Sequence, residues 1–342
     1  MSNLREALIL LYHRVTSADR DPQLLCVSPE NFRQQMEVLR ARGAQIMPLA
    51  ELVNAIDNGN VPVGATAITF DDGYADNLEQ AAPILRQFDA PATVFATTAY
   101  TGCDAEFYWD DLDRIFLTPG SLPRQLRLWM ADSAVEIDLG DFDYYSHSQA
   151  RANRAWTILD KTDPTPRHSA YRALCKAIHQ APLSLRRDAM NQLQAWSGLP
   201  TRGSHRMLSV DQMREFVADG LIDIGGHTVD HPILAIESHD SQTRQVIGNK
   251  EALTWVLGRQ PTAFSYPYGT RRDFTAATID IVKRSGYRYA CANSPGQVTA
   301  TSNPFQLPRN IVRDWNTAEF EANLSGWFAA SSKVTAPLAK AG

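Results

Sequence analysis

Strand-like and helix-like segments alternate along most of this chain, and that alternation is its strongest constraint on fold. Short apolar runs suit strands buried on both faces, and helical stretches between them supply the crossovers of a parallel sheet. Early in the chain the runs are Ala7-Leu8-Ile9-Leu10-Leu11-Tyr12, Ala65 to Phe70, and Ala92-Thr93-Val94-Phe95-Ala96-Thr97. Later come Leu221-Ile222-Asp223-Ile224, Ala263-Phe264-Ser265-Tyr266, Tyr289-Ala290-Cys291-Ala292, and Leu307 to Val312. Between them, Ser28-Pro29-Glu30 sets a capping serine before proline at the first helical position, and Phe32, Met36 and Leu39 recur at helical spacing. Ser209-Val210-Asp211-Gln212 fits a capping box. Helices are also expected over 76–88, kinked at Pro83, and over 240–257, 275–285 and 317–328. Roughly six to eight strand–helix units predict an α/β barrel of parallel strands, with an open doubly wound sheet as the alternative.

The alternation breaks between Cys103 and about His205. Long helical patterns fill this stretch, strand candidates are few, and Asp163-Pro164-Thr165-Pro166 reads as loop. Trp109, Trp129, Trp156 and Trp196 fall within it, enough aromatic bulk for a small core. The expected organisation is a barrel from residues 1–102 and 206–330, a helical insertion or cap over 103–205, and a disordered tail over 331–342.

Composition narrows the function. The 342 residues include 33 basic and 38 acidic ones, a net charge of -5 with no basic stripe, which argues against nucleic acid as a partner. No apolar stretch approaches the roughly 20 residues of a membrane span. The start, Met1-Ser2-Asn3-Leu4-Arg5-Glu6, lacks the pattern of an export signal, so a cytoplasmic protein is expected. Cys26, Cys103, Cys175 and Cys291 are far apart and form no Cys-x-x-Cys, so they read as small hydrophobes rather than zinc ligands or disulfides.

The unusual polar residues sit where strands end, and in parallel α/β folds those ends converge on one face. Asp71-Asp72-Gly73 follows one strand. It reads as a turn, or as two carboxylates whose mutual repulsion calls for a cation or a proton. His227 and His231 lie four apart after another strand, on one side of a helical turn or, given Pro232, of a tight turn. Two histidines and an aspartate leave coordination positions for water, and suit zinc, iron, manganese or cobalt. Chance spacing of surface histidines is the competing reading. Tyr266-Pro267-Tyr268-Gly269 reads as an aromatic loop or as a turn aiming a backbone N–H at an oxyanion. His13 ends the first strand, as a satisfied core histidine or a general acid.

Together these segments resemble the polysaccharide deacetylase family, the carbohydrate esterases of the fourth family with a NodB-homology domain. The motifs are Thr69-Phe70-Asp71-Asp72-Gly73-Tyr74, His227-Thr228-Val229-Asp230-His231-Pro232, and a variant third, Phe264-Ser265-Tyr266-Pro267-Tyr268-Gly269. The resemblance covers roughly residues 7–102 and 206–312 and leaves out the insertion. It implies a deformed (β/α)7-type barrel and one divalent metal, usually zinc. It also implies Asp72, His227 and His231 as ligands, Asp71 as general base, and the Tyr268 backbone N–H as oxyanion donor. Tyr266 and Pro267 are expected on the substrate. Two positions depart from the pattern. Ser265 stands where relatives commonly have an arginine that orients the base, and Leu307-Pro308-Arg309 replaces a Leu-x-His whose histidine is the general acid. Arginine stays protonated and cannot cycle a proton. Leu11-Tyr12-His13-Arg14 is similar to the Tyr-His of a branch that includes the poly-N-acetylglucosamine deacetylases, which makes His13 the candidate acid. Arg309 is expected on a substrate phosphate or carboxylate, or orienting Asp71.

The implied activity is removal of an N-acetyl or N-formyl group from an amino sugar in surface-polysaccharide biosynthesis. The expected substrate is a nucleotide-linked or lipid-linked sugar or an oligosaccharide. The insertion would cap the site, with Tyr108 and Trp109 stacking on sugar or packing its core. A catalytically degenerate, saccharide-binding relative is the alternative. The lost acid and arginine favour it, and the retained ligands and Asp71 oppose it. A metallophosphoesterase would usually need a second metal and more ligands.

Overall fold

The computed structural model describes residues 7–200 and 205–329, so the expected tail lies outside the described residues. Eight strands form one parallel sheet: β1 (Leu8–Tyr12), β2 (Gln45–Ile46), β3 (Ala65–Phe70), β4 (Ala92–Ala96), β5 (Ile222–Gly226), β6 (Ala263–Ser265), β7 (Tyr289–Cys291) and β8 (Asn310–Ile311). Their order is β7-β6-β5-β4-β3-β1-β8, with β2 beside the start of β3. The two ends meet: Leu307 N–H donates to the Ala290 carbonyl (3.0 Å), and Ala292 N–H donates to that of Leu307 (2.9 Å). The sheet is therefore a deformed parallel barrel. An open doubly wound sheet would keep its edge strands apart.

Every residue of β1, β3 and β4 is buried, as their unbroken apolar runs require of strands covered on both faces. Alternate side chains part company across the sheet. Leu8, Leu10 and Tyr12 pack outward with Phe32, Met36 and Leu39 of helix α1 (Pro29–Ala41). Ile9, Ala67, Phe95, Cys291 and Leu307 form an inner cluster plugged by Leu52, Val53 and Ile56 of α2 (Leu49–Asp57). Ser28 caps α1 by accepting the Asn31 N–H. At Pro83 the expected helix is divided. A π turn over Asn77–Ala81 precedes α3 (Ala82–Gln87), so Pro83 falls in a first turn, where its missing N–H is not needed.

Between β4 and β5 the chain departs from the helical expectation. Gln125–Met130 and Ser133–Asp138 pair as an antiparallel hairpin, and Gly120–Ser121 pairs with Tyr144–Tyr145. Leu126 and Leu128 are buried while Gln125, Arg127 and Trp129 are exposed, a period of two that overrode the helical reading. Trp129 is thus half exposed rather than core. Helices α4 (Tyr108–Leu112), α5 (His147–Ala152), α6 (Pro166–His179) and α7 (Leu183–Ser197) complete this segment. Phe107, Trp109, Phe116, Trp156, Tyr171 and Leu193 share its cluster, which reaches Tyr74 of the barrel. The barrel resumes with α8 (Val210–Phe216), α9 (His239–Leu257), α10 (Ala276–Arg284) and α11 (Thr317–Ala329). Ser209 and Gln212 form the expected capping box. Among the described residues no helix is long and apolar enough to cross a membrane.

Candidate active site

Three strand ends build the site, and each needs an unusual backbone. Asp72 follows β3 with φ +76°, Thr228 and His231 follow β5 at +66° and +56°, and Tyr268 follows β6 at +59°. Non-glycine residues rarely adopt such angles, and they concentrate where a scaffold over-determines a functional loop. Gly73 also takes positive φ, and a Cβ there would lie 3.1 Å from that of Ala96. The loop is tied on both sides: Asp71 N–H donates to the Tyr12 carbonyl (3.0 Å), and Thr97 N–H donates to that of Asp72 (3.1 Å).

Asp72, His227 and His231 meet, all buried, with one donor atom from each inside a 4.8 Å radius of the others. Asp72 Oδ1 lies 3.3 Å from His231 Nε2 and 3.5 Å from His227 Nε2, long for hydrogen bonds. That oxygen is buried without a hydrogen-bond partner among the described residues. A carboxylate oxygen stranded between two imidazoles is costly alone and apt for a cation. His227 Nδ1 donates to the Ser265 carbonyl (2.7 Å), which turns Nε2 toward Asp72 in the tautomer a metal takes. Burial pushes the His231 imidazole down to about 4, leaving it neutral. Burial opposes charge on His227 too, but the carboxylates of Asp71 and Asp72 raise it. Burial would raise Asp72, yet the two histidines hold it below the usual carboxylate range. One carboxylate and two imidazoles fit a divalent ion with open positions.

Asp71 points to a different partner. Arg309, from the segment entering β8, holds it with two parallel bonds, Nη1 to Oδ1 and Nη2 to Oδ2, both 2.7 Å. Ser265 Oγ donates to Asp71 Oδ2 (3.1 Å) and accepts from Arg309 Nη2 (2.8 Å). Burial would raise the Asp71 carboxyl, but the Arg309 guanidinium together with the imidazoles of His227 and His13 outweighs it and the pKa falls. Arg309 is 0% exposed, and its Nε bonds the Ala292 carbonyl (3.1 Å). It holds the Asp71 carboxylate in place and is not on the wall of the cavity that Asp71 lines. The small Ser265 leaves the room that this arginine fills.

His13, Asp71, Asp72, His227, His231 and Tyr268 line one cavity of about 910 Å³. Tyr108, Trp109, Lys176 and His179 line it from the insertion. Tyr266 and Pro267, expected on the substrate, are buried and not on its wall. Along β6 alternate side chains face opposite ways, so Ser265 turns toward Asp71 while Tyr266 turns into the outer core. There it stacks on Phe274 (4.0 Å) and its hydroxyl donates to the Phe305 carbonyl. The Tyr268 N–H donates no hydrogen bond among the described residues. Burial pushes the His13 imidazole down, against the pull of Asp72 and Asp71.

Several contributors escaped the sequence reading. Asn249 of α9 accepts the His227 N–H (3.2 Å) and donates to the Thr228 carbonyl (2.6 Å). Gln245, one turn earlier, accepts the N–H groups of Val229 and Asp230. Buried amides at i and i+4 on the inner face of a helix were the available signal. Arg186 of α7, which bonds the His231 carbonyl, had none.

Fold and site define a parallel barrel that presents a three-ligand metal-type centre beside an arginine-held carboxylate. The chain belongs to the polysaccharide deacetylase family: the family model described as polysaccharide deacetylase matches residues 58–121 and 194–290, flanking most of the insertion. It is 29% identical over 108 residues to a poly-beta-1,6-N-acetyl-D-glucosamine N-deacetylase of Staphylococcus epidermidis, across 28% of this chain and 37% of that one. A protein of the same name from Staphylococcus aureus is 31% identical over 108 residues. These matches span little more than a third of the relatives' length. The solved structure of IcaB from Ammonifex degensii superposes with TM-score 0.58 and 17% identity, covering 95% of this chain and 97% of that one. Streptococcus pyogenes deacetylase PplD in complex with acetate superposes with TM-score 0.57 and 19% identity, covering 93% and 97%. At these identities the likeness is one of fold.

Proposed function

We propose that this protein is a metal-dependent amide hydrolase that removes an N-acetyl or N-formyl group from an amino sugar in surface-polysaccharide biosynthesis. The observation that carries the reading is the stranded Asp72 oxygen between His227 and His231, next to an Asp71 held ionised by Arg309. Asp72, His227 and His231 would hold one divalent ion, zinc foremost, with iron, manganese or cobalt as alternatives. When bound, such an ion supplies Lewis acidity for activating water and polarising the amide carbonyl. Asp71, kept deprotonated and aimed by Arg309, takes the proton of the attacking water. The Tyr268 N–H donates to the oxyanion that develops on the carbonyl. His13 donates a proton to the departing nitrogen, and burial makes its imidazolium readier to give that proton up. The products are the free amino sugar and acetate or formate.

A cavity of about 910 Å³ suits a saccharide unit with an attached group. A nucleotide-linked or lipid-linked sugar or an oligosaccharide is the proposed substrate. Tyr108, Trp109 and Tyr268 offer ring faces for stacking. The names of the Staphylococcus relatives support amino-sugar N-deacetylation. The Tyr12-His13 pair supports placement in the branch that takes its acid from the first strand.

Metal content and release of acetate or formate from a panel of N-acyl amino sugars test the reading together. Bound metal with release from one panel member is expected. The absence of a histidine at Arg309 favours a second reading, a saccharide binder without turnover. Oligosaccharide binding with no acid released would establish that reading instead.

A further inference from the structure

The two histidines of the centre are not supported alike. His227 has its far ring nitrogen fixed by the Ser265 carbonyl, the usual arrangement for a metal-ligating imidazole. The Nδ1 of His231 is buried with no hydrogen-bond partner among the described residues. The loop from His227 to Asp230 is gripped from the barrel side by Asn249 and Gln245 of α9. Neither reaches the carbonyl of His231, at φ +56° the strained end of that loop.

Within the loop the His231 N–H donates to Thr228 Oγ1 (3.0 Å), but its carbonyl is held from the other side. Arg186, 6% exposed on α7, donates from Nη1 to the His231 carbonyl (2.9 Å) and from Nη2 to that of His179 (3.4 Å). Its guanidinium carbon lies 5.2 Å from the centre of the Tyr108 ring. No carboxylate pairs with it among the described residues, which is unusual for a buried arginine. Phe107, Trp109 and Tyr268 surround the imidazole edge-on, with ring centres 5.5, 5.3 and 4.6 Å away. Packing by these rings and a bond to the backbone take the place of the missing bond to Nδ1.

We propose that Arg186 is a positioning residue for the third metal ligand, so that the segment inserted between β4 and β5 completes the metal centre as well as walling the cavity. The inference rests on reading Asp72, His227 and His231 as metal ligands, and it is tested without turnover. Zinc affinity is measured on the full chain by competition with a chromogenic chelator, and the visible absorption of the cobalt(II) form reports coordination geometry. The Tm of the metal-free protein is the control for folding. In Arg186→Leu the zinc Kd is expected to rise about 10-fold or more, a common effect of losing support behind a ligand. The cobalt bands should shift, while the metal-free protein should still unfold in one cooperative transition, at a Tm lowered by the loss of the donor to the His231 and His179 carbonyls. An unchanged Kd with unchanged cobalt bands overturns the proposal. Should Arg186→Leu fail to fold, Arg186→Lys decides: it keeps the charge and loses the paired donors, and a native Kd there also overturns it. A native protein that binds no metal would overturn the metal-site reading itself, a distinct failure.

Discussion

Asp71 and Asp72 are adjacent in the chain and opposite in surroundings. Asp72 faces two imidazoles and lacks a donor for one oxygen, whereas both oxygens of Asp71 accept from Arg309 and one also from Ser265. Their roles separate by substitution. Asp71→Asn should bind zinc with near-native Kd while losing about 100-fold or more in kcat, as removal of a general base does. Native kcat would remove Asp71 from that role. Arg309→Leu leaves a buried carboxylate with no counter-charge and should cost about 3–5 kcal/mol of stability, read by urea unfolding. It should also move the acid limb of kcat/KM. With Arg309 present the Asp71 pKa sits below its usual value, so the base is ionised well into acid; without it, burial dominates and the limb shifts to higher pH. An unmoved limb would mean that another group sets it.

Loops that follow strands do the positioning, and their strength lies in backbone angles. Asp72-Gly73 turns with both residues at positive φ, close against β4. Gly73→Ala places a Cβ 3.1 Å from that of Ala96 and strains a φ of +86°, so it should lower stability by about 1–3 kcal/mol and weaken metal binding together. Thermal unfolding with and without zinc measures both, and a loss of Tm with native zinc affinity would show that this turn does not set the ligand. The loop after β5 depends on α9 in the same way through Gln245 and Asn249. Insertion and barrel therefore hold opposite faces of one ligand loop.

At the scale of the molecule the centre is a cross-link between distant parts of the chain. Asp72 follows β3, and His227 and His231 follow β5, with the whole insertion between them. A ligand that binds only the folded state stabilises it by mass action. Zinc at about 100 times its Kd should add about 2.7 kcal/mol, a rise in Tm of ~4 °C for a chain of this size. A chelator should reverse the rise, as differential scanning calorimetry would show. A Tm indifferent to both would leave the three residues without a metal.

The amino-acid sequence by itself determined a parallel sheet covered on both faces, since unbroken apolar runs suit such strands, whereas its closure into a barrel rather than an open sheet was decided by the bonds of Leu307 to Ala290 and Ala292. It also determined which residues meet: the strand ends of such a sheet share one face, and Asp71, Asp72, His13, His227, His231 and Tyr268 all end strands or follow them. Tertiary structure alone decided how partners are shared out. Arg309 reaches Asp71 because Ser265 is small and β7 and β8 close the barrel, a contact between residues 238 apart in sequence. Tyr266 leaves the site because side chains along β6 alternate, and a motif match does not carry that alternation through. The hairpin over 125–138 went unread because its alternation is short and lies between helical patterns. Arg186 was invisible because a hydrogen bond to a backbone carbonyl places no demand on the sequence of the loop that receives it.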